Sequence, residues 1–288
     1  MEYLYYPGCS LEGAARQYDE SLRAVFQALG VGLRPLEDWN CCGATIYMSV
    51  DETTSLAVSA RNLALAGRDG QRDLIAPCSA CYTVLLKTNR YLTESPELRQ
   101  KVDALLAKAG LSYRLNVTVR HPLDVLVNDV GIERIAAAAS RRLDGLRVAP
   151  YYGCQIVRPE RGFDHSEFPE TMDRLFRALG AEPVYYPVKT RCCGGMLMTT
   201  FRDVALDLVR ELLSFAVENG AECIVTTCPM CQVNLELYQD QVNQAFKTSY
   251  RVPVLFFTQL LGLALGCEEK SLGLQRNLIP FQLGVATA

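Results

Sequence analysis

The chain has 288 residues, 49% of them apolar, and a formal net charge of -3, enough for one large domain or two ordinary ones with a full-sized core. Lys, Arg, Asp and Glu are mixed along its length, leaving no basic stripe for nucleic acid and no acidic tail. The start, MEYLYYPGCS, lacks the basic residues and apolar run of a signal peptide, and no uncharged apolar stretch reaches the roughly 20 residues of a membrane helix, so a cytoplasmic protein without a transmembrane segment is expected.

In chain order, YLYY (3–6) reads as a strand and 16–29 as a helix. VGLRPL (31–36) is a second strand, followed by a loop carrying DWNCCGATIY, a helix near 51–66, the strand DLIAP (73–77) and a helix near 80–91. A further strand in VTVR ends just before His121. The same series then recurs. LRVAPYY, PVYYP and ECIVTT read as strands, alternating with helices near 168–179, 201–219 and 231–245. VPVLFFTQLLGLALG, the longest apolar stretch, is broken by Pro253, Thr258 and Gln259 and reads as a core strand entering a core helix. Leu22, Val25, Phe26, Ala28, Leu29 and Gly30 match Met172, Leu175, Phe176, Ala178, Leu179 and Gly180, each set one buried helix face ended by a glycine. The expected organisation is two duplicated α/β halves, 1–143 and 144–288, with mainly parallel sheets and a connector in SRRLDGLR (140–147).

Twelve cysteines without an export signal point to metal ligation or redox chemistry, because the cytosol keeps thiols reduced. Ten follow one pattern used twice. Cys9, Cys41-Cys42-Gly43 and Cys78-x-x-Cys81 are repeated as Cys154, Cys192-Cys193-Gly194 and Cys228-x-x-Cys231, at an offset near 150. Cys9, Cys78, Cys154 and Cys228 each follow a strand, and ligands of open α/β sheets sit at the carboxyl ends of strands.

A Cys-x-x-Cys turn stabilises thiolate charge through its free amides and suits zinc or iron equally. Adjacent residues of a regular strand point to opposite faces, so both thiols of a doublet serve one centre only where the backbone turns, as Gly43 and Gly194 permit. A structural zinc or a cubane iron–sulfur cluster takes four ligands. Five suggest a larger or distorted cluster with bridging thiolates, or a cluster with a spare sulfur nearby; a zinc-holding scaffold is an alternative.

The pattern is similar to the cysteine-rich CCG domain, and two of them in a chain of this length resemble the B subunit of heterodisulfide reductases. The resemblance covers nearly the whole chain, including YYPGCS, APCSACY, YYGC, TTCPMC and PVLFFTQLLGLALG. It implies that Cys9, Cys41, Cys42, Cys78 and Cys81 hold one noncubane 4Fe-4S cluster and Cys154, Cys192, Cys193, Cys228 and Cys231 a second. It also implies a shared cleft where a disulfide is split or formed, with the halves related by a pseudo-twofold axis. Splitting a disulfide takes two electrons, whereas a cluster passes them singly, so the duplication suits the chemistry. No ferredoxin-type cysteine run or flavin fingerprint is present, and GVG at 30–32 reads as a turn. The implied partners are the iron–sulfur C subunit and the flavin-bearing A subunit of a heterodisulfide reductase-like complex, and a small disulfide or thiol substrate. A quinone-linked role, as in unusual succinate dehydrogenases with a similar CCG protein, is the other reading.

His121, Arg158, Lys189 and Arg191 are the catalytic candidates: His121 as proton donor or as a capping or core residue, the cations, with Arg161, for attracting an anionic substrate or balancing thiolates. Gln155 stands where relatives often carry histidine. His165 reads as solvated, Cys223 and Cys267 as apolar fillers, and Trp39 as packing on the doublet loop.

Overall fold

A computed structural model describes residues 1–44, 49–70, 72–158 and 162–284. The chain forms two compact units, Met1–Gly13 with Gly30–Pro122 (unit 1), and Ala14–Leu29 with Leu123–Ala288 (unit 2).

Unit 1 is built on β1 (Glu2–Tyr5), β2 (Gly32–Pro35), β3 (Arg72–Ile75) and β4 (Val117–Arg120), in the order β2-β1-β3-β4. Every pairing is parallel, as strands joined by helical crossovers require. Of its helices Glu52–Ala66, Ser79–Glu94 and Pro96–Lys108, the first and last begin on recognisable capping signals. Asp51 accepts from Thr54 N, and Ser95 accepts from Leu98 N with Pro96 in the first turn.

Unit 2 contains β5 (Arg147–Tyr151), β6 (Glu182–Pro183), β7 (Cys223–Thr226) and β8 (Val254–Phe256), in the order β6-β5-β7-β8, again all parallel. The repeated strand order is the duplication expressed as topology. All of β7 is buried, Cys223 included, as a central parallel strand covered on both faces should be. VPVLFFTQLLGLALG becomes β8 and the helix Phe257–Ala264, whose eight residues are all buried.

Two elements are shorter than the sequence patterns suggest. PVYYP pairs only through Glu182–Pro183 and one more bond, Val184 N to Val148 O; Pro183 and Pro187 have no N–H to donate, and Tyr185 turns out to solvent. The helix expected near 231–245 is two, Pro229–Leu237 and Gln239–Phe246. The buried Gln239 side chain bonds both Leu235 O and the Val252 backbone, drawing the break against the segment before β8.

The compact units follow packing rather than chain order. Helix Arg16–Ala28 turns Tyr18, Leu22, Val25 and Phe26 into unit 2, all fully buried. Tyr18 stacks on Phe256 at 4.2 Å, and Ser21 shares a 2.6 Å hydrogen bond with Thr258. Burying an aromatic or aliphatic side chain contributes about 1.5–3 kcal/mol, so four of them decide where this helix belongs.

Candidate metal centres

In unit 1, Cys9 follows β1 in the short helix Gly8–Glu12, the doublet Cys41-Cys42 follows β2, and Cys78 caps the helix after β3, whose first turn carries Cys81. Because all strands are parallel, these segments lie at one sheet edge. Chain connections leave β1 toward β2 and β3 toward β4, the arrangement that opens a ligand crevice at a sheet's carboxyl edge. Unit 2 repeats this with Cys154 after β5, Cys192-Cys193 after β6, and Cys228 and Cys231 after β7.

None of the twelve cysteines is in a disulfide. In unit 2 the sulfurs of Cys193 and Cys231 are 3.6 Å apart, and hydrogen bonds run from Cys154 and Cys193 to Cys192 and from Cys231 to Cys228. In unit 1, Cys41 and Cys81 bond Cys42, and Cys81 also bonds Cys78. Cys9, Cys41 and Cys192 are exposed and Cys154 is half-buried, while the other six are buried. Each set therefore has a solvent-facing side and a dry floor.

The sulfurs share protons unevenly. Hydrogen bonds from Cys41 and then Cys81 lower the Cys42 thiol to about 4, and those from Cys154 and Cys193 lower Cys192 to about 2, with Arg158 adding its charge. The donors shift in the opposite direction: Cys193 is pushed up to about 12 by its bond to Cys192, and Cys41, Cys81, Cys154 and Cys231 rise well above their ordinary range for the same reason. Each set so holds a focal thiolate with protonated neighbours aimed at it.

Glycines shape the floor. Gly43 and Gly194 have φ of +83° and +87°, the turn the doublets require. Gly8 and Gly153, to which the sequence patterns assign no role, sit at +70° and +69°, and a Cβ there would be 3.2 Å from Cys81 Sγ and 3.0 Å from Cys231 Sγ. Two tyrosines join them as supports that the motifs alone do not reveal. Tyr6 donates to Asn40 O at 2.8 Å and Tyr151 to Arg191 O at 2.7 Å; both acceptors directly precede a doublet. Burial raises both phenols, so they remain donors. The visible signal is YYPGC matched to YYGC, each with a tyrosine three residues before the cysteine. Trp39 packs edge-on against Tyr6 at 5.4 Å. Asn40 bonds Cys41 O and Val58 O, and Asn234 bonds Cys193 O and Gly195 O.

His121 is fully buried, with Nε2 2.9 Å from Pro77 O, the carbonyl before Cys78. Lys189 bonds Asp173 at 2.7 Å, and Asp173 accepts from Tyr152 on its other oxygen; Lys189 O also receives the amides of Tyr152 and Gly153. Lys189 thus anchors the segment leading into Cys154. Arg191 is ion-paired to Glu211. Arg158 is exposed beside the second set. Arg161 lies outside the described residues. Gln155 Nε2 is 4.0 Å from Cys154 Sγ, His165 Nδ1 accepts amides within its own exposed loop, and Cys267 is half-buried.

Among the described residues, no three His, Cys, Asp or Glu side chains close on one point as they would around a single metal ion. The donors are instead five sulfurs at one sheet edge, most of them linked by hydrogen bonds, over a floor cleared by a glycine. An all-sulfur set of this kind fits a multi-iron cluster, which takes thiolates at several irons.

The cysteine-rich domain family CCG matches residues 3–86 and 148–236. The 8-methylmenaquinol:fumarate reductase membrane anchor subunit of Wolinella succinogenes is 35% identical over 96% of this chain and 97% of its own length. The B subunit of a ferredoxin/F420H2-dependent CoB-CoM heterodisulfide reductase from Methanosarcina acetivorans is 34% identical over 94% of this chain and 92% of its own. An Archaeoglobus profundus protein named for its likeness to the heterodisulfide reductase B subunit is also 34% identical, over 95% and 94%. A Helicobacter pylori hypothetical protein shares the fold, with a TM-score of 0.80 at 16% identity; it matches 98% of this chain, which spans 52% of that one. With both cysteine sets inside matched domains and relatives aligned nearly end to end, the chain belongs to the family of duplicated cysteine-rich proteins typified by the heterodisulfide reductase B subunit.

Proposed function

We propose that the chain is the disulfide-handling subunit of an iron–sulfur oxidoreductase complex, with one noncubane 4Fe-4S cluster held by Cys9, Cys41, Cys42, Cys78 and Cys81 and another by Cys154, Cys192, Cys193, Cys228 and Cys231. The observation that carries this is the same five-thiol edge built twice, each with its own glycine-cleared floor. When bound, such clusters supply single electrons and iron sites with affinity for thiolate. The net reaction is RSSR′ + 2e⁻ + 2H⁺ → RSH + R′SH, or its reverse, so one electron per set balances it.

The chain's own groups hold these sites. His121 fixes the Pro77 carbonyl and with it the approach to Cys78; Lys189 fixes the approach to Cys154. Arg158 is the exposed cation available to an anionic substrate, while Arg191 is shared with Glu211. By analogy with heterodisulfide reductases, the electrons come from two partners, an iron–sulfur C subunit and a flavin-bearing A subunit.

Anaerobic iron and sulfide analysis with EPR tests the reading. About eight irons per chain are expected for two four-iron centres; about four irons with one zinc would make one set structural. NADH should not reduce the isolated chain, since it carries no legible flavin or dinucleotide site.

A second reading, electron transfer with a quinol, is favoured by the 35% identity to a methylmenaquinol:fumarate reductase component. Phe168 and Phe201, 76% and 66% exposed, supply apolar surface in unit 2. Among the described residues no helix is long and apolar enough to cross a membrane. Oxidation of the reduced protein by a soluble quinone but not by disulfides would select this reading.

A further inference from the structure

Asn234 lies three residues after Cys231 on the helix Pro229–Leu237 and is 1% exposed. Its Nδ2 donates to Cys193 O at 3.0 Å and to Gly195 O at 2.9 Å, and stands 3.6 Å from Cys193 Sγ. One side chain thus ties the helix that carries Cys231 to the backbone on both sides of Gly194, and brings an N–H to a ligand sulfur. Two amide hydrogens face three acceptors, so one is shared between carbonyl and sulfur, a three-centre arrangement common in proteins. The position matching Asn234 in the first half, three residues after Cys81, is Val84, which has no polar atom to offer.

We infer that Asn234 is a positioning residue for the unit 2 cluster, holding the Cys192-Cys193 doublet in register with Cys231 and raising that cluster's reduction potential through its N–H near Cys193 Sγ. This rests on the reading above, that the second cysteine set holds an iron–sulfur cluster. Hydrogen bonds to ligand sulfurs are among the levers that set cluster potentials. An added electron increases negative charge on the sulfurs, and a donor aimed at them stabilises the reduced state more than the oxidised one. Valine at 234 should therefore lower the potential and loosen the doublet, and it is a shape the fold already accepts at position 84.

The test is an EPR-monitored redox titration of the anaerobically purified chain. Asn234→Val is measured in a Cys41→Ala/Cys42→Ala background, where only the second cluster contributes, and again in a Cys192→Ala/Cys193→Ala background, where only the first does. The expected result is a fall in midpoint potential and a changed line shape in the first background and no change in the second. Asn234→Ser, which keeps one donor, should give a smaller fall and guards against a valine variant that does not fold. An unmoved potential with reduced iron content or thermal stability would overturn the inference and leave Asn234 as ordinary packing. A shift of equal size in both backgrounds would also overturn it. Either result leaves the cluster reading standing, whereas wild-type protein without iron would remove both.

Discussion

The hydroxyl of Tyr151 donates to the main-chain carbonyl of Arg191 at 2.7 Å, so the residue three before Cys154 fixes the residue immediately before Cys192. Tyr6 does the same for Asn40 ahead of Cys41, at 2.8 Å. Two cysteine-bearing segments that leave different strands are thereby set at a constant separation in each unit. Replacing either tyrosine by phenylalanine removes one hydrogen bond worth about 1 kcal/mol. The expected outcome is a small drop in thermal stability and a selective loss of iron from the altered set. Iron counts in Tyr6→Phe and Tyr151→Phe, each compared with the corresponding doublet-free variant, check this.

Gly153→Ala should be far more damaging. Its φ of +69° is a left-handed conformation costing an L-residue about 1–2 kcal/mol, and the added methyl would press on Cys231 Sγ. Gly110, at +68° with open space around it, provides the control. Gly110→Ala should show the backbone cost alone with full iron content, and Gly153→Ala should in addition lose the second cluster. Equal iron in the two variants would contradict the cradle.

In metal-free protein, the depressed Cys192 thiol should be alkylated first. Lowered to about 2 and exposed, it is a thiolate across the working range, whereas Cys154 and Cys193 hold their protons above neutrality. Iodoacetamide at pH 6 should label Cys192 ahead of both. Cys42, lowered to about 4, should react slowly because it is buried. Peptide mapping after a short pulse reads the order, and the preference should persist down to pH 4, where a thiol of ordinary pKa is unreactive.

Charge reversal at the cations should separate two roles. Arg158→Glu removes an exposed charge and should raise KM for an anionic disulfide with little effect on folding. Lys189→Glu would set a second carboxylate against Asp173 in a mostly buried site, so its main effect should be a lower Tm. Steady-state kinetics and thermal unfolding of the two variants distinguish them.

The duplicated α/β plan was legible because it is written in periodicity and spacing: two parallel sheets of matching order, with cysteines following strands β1, β3, β5 and β7. The turn at Gly43 and Gly194 followed from the doublets alone. The supports were harder to see. Asn234, Tyr6 and Tyr151 act through main-chain carbonyls tens of residues away, and such acceptors leave no mark on residue type. Lys189 shows the reverse difficulty, since a lysine beside cysteines suggests an available charge until Asp173, 16 residues earlier, is found against it. The shortening of β6 depended on where Pro183 fell in the ladder.

The packing of helix Arg16–Ala28 on the segment that follows β8 has a bearing on biosynthesis. Ser21 and its partner Thr258 are separated by 237 positions, so at about 5–20 residues per second the ribosome delivers the second some 12–50 s after the first. Throughout that interval the helix face bearing Tyr18, Leu22, Val25 and Phe26 waits for the Phe257–Ala264 helix that packs against it. The apolar face invites chaperone capture, and premature termination before residue 254 would strand it permanently.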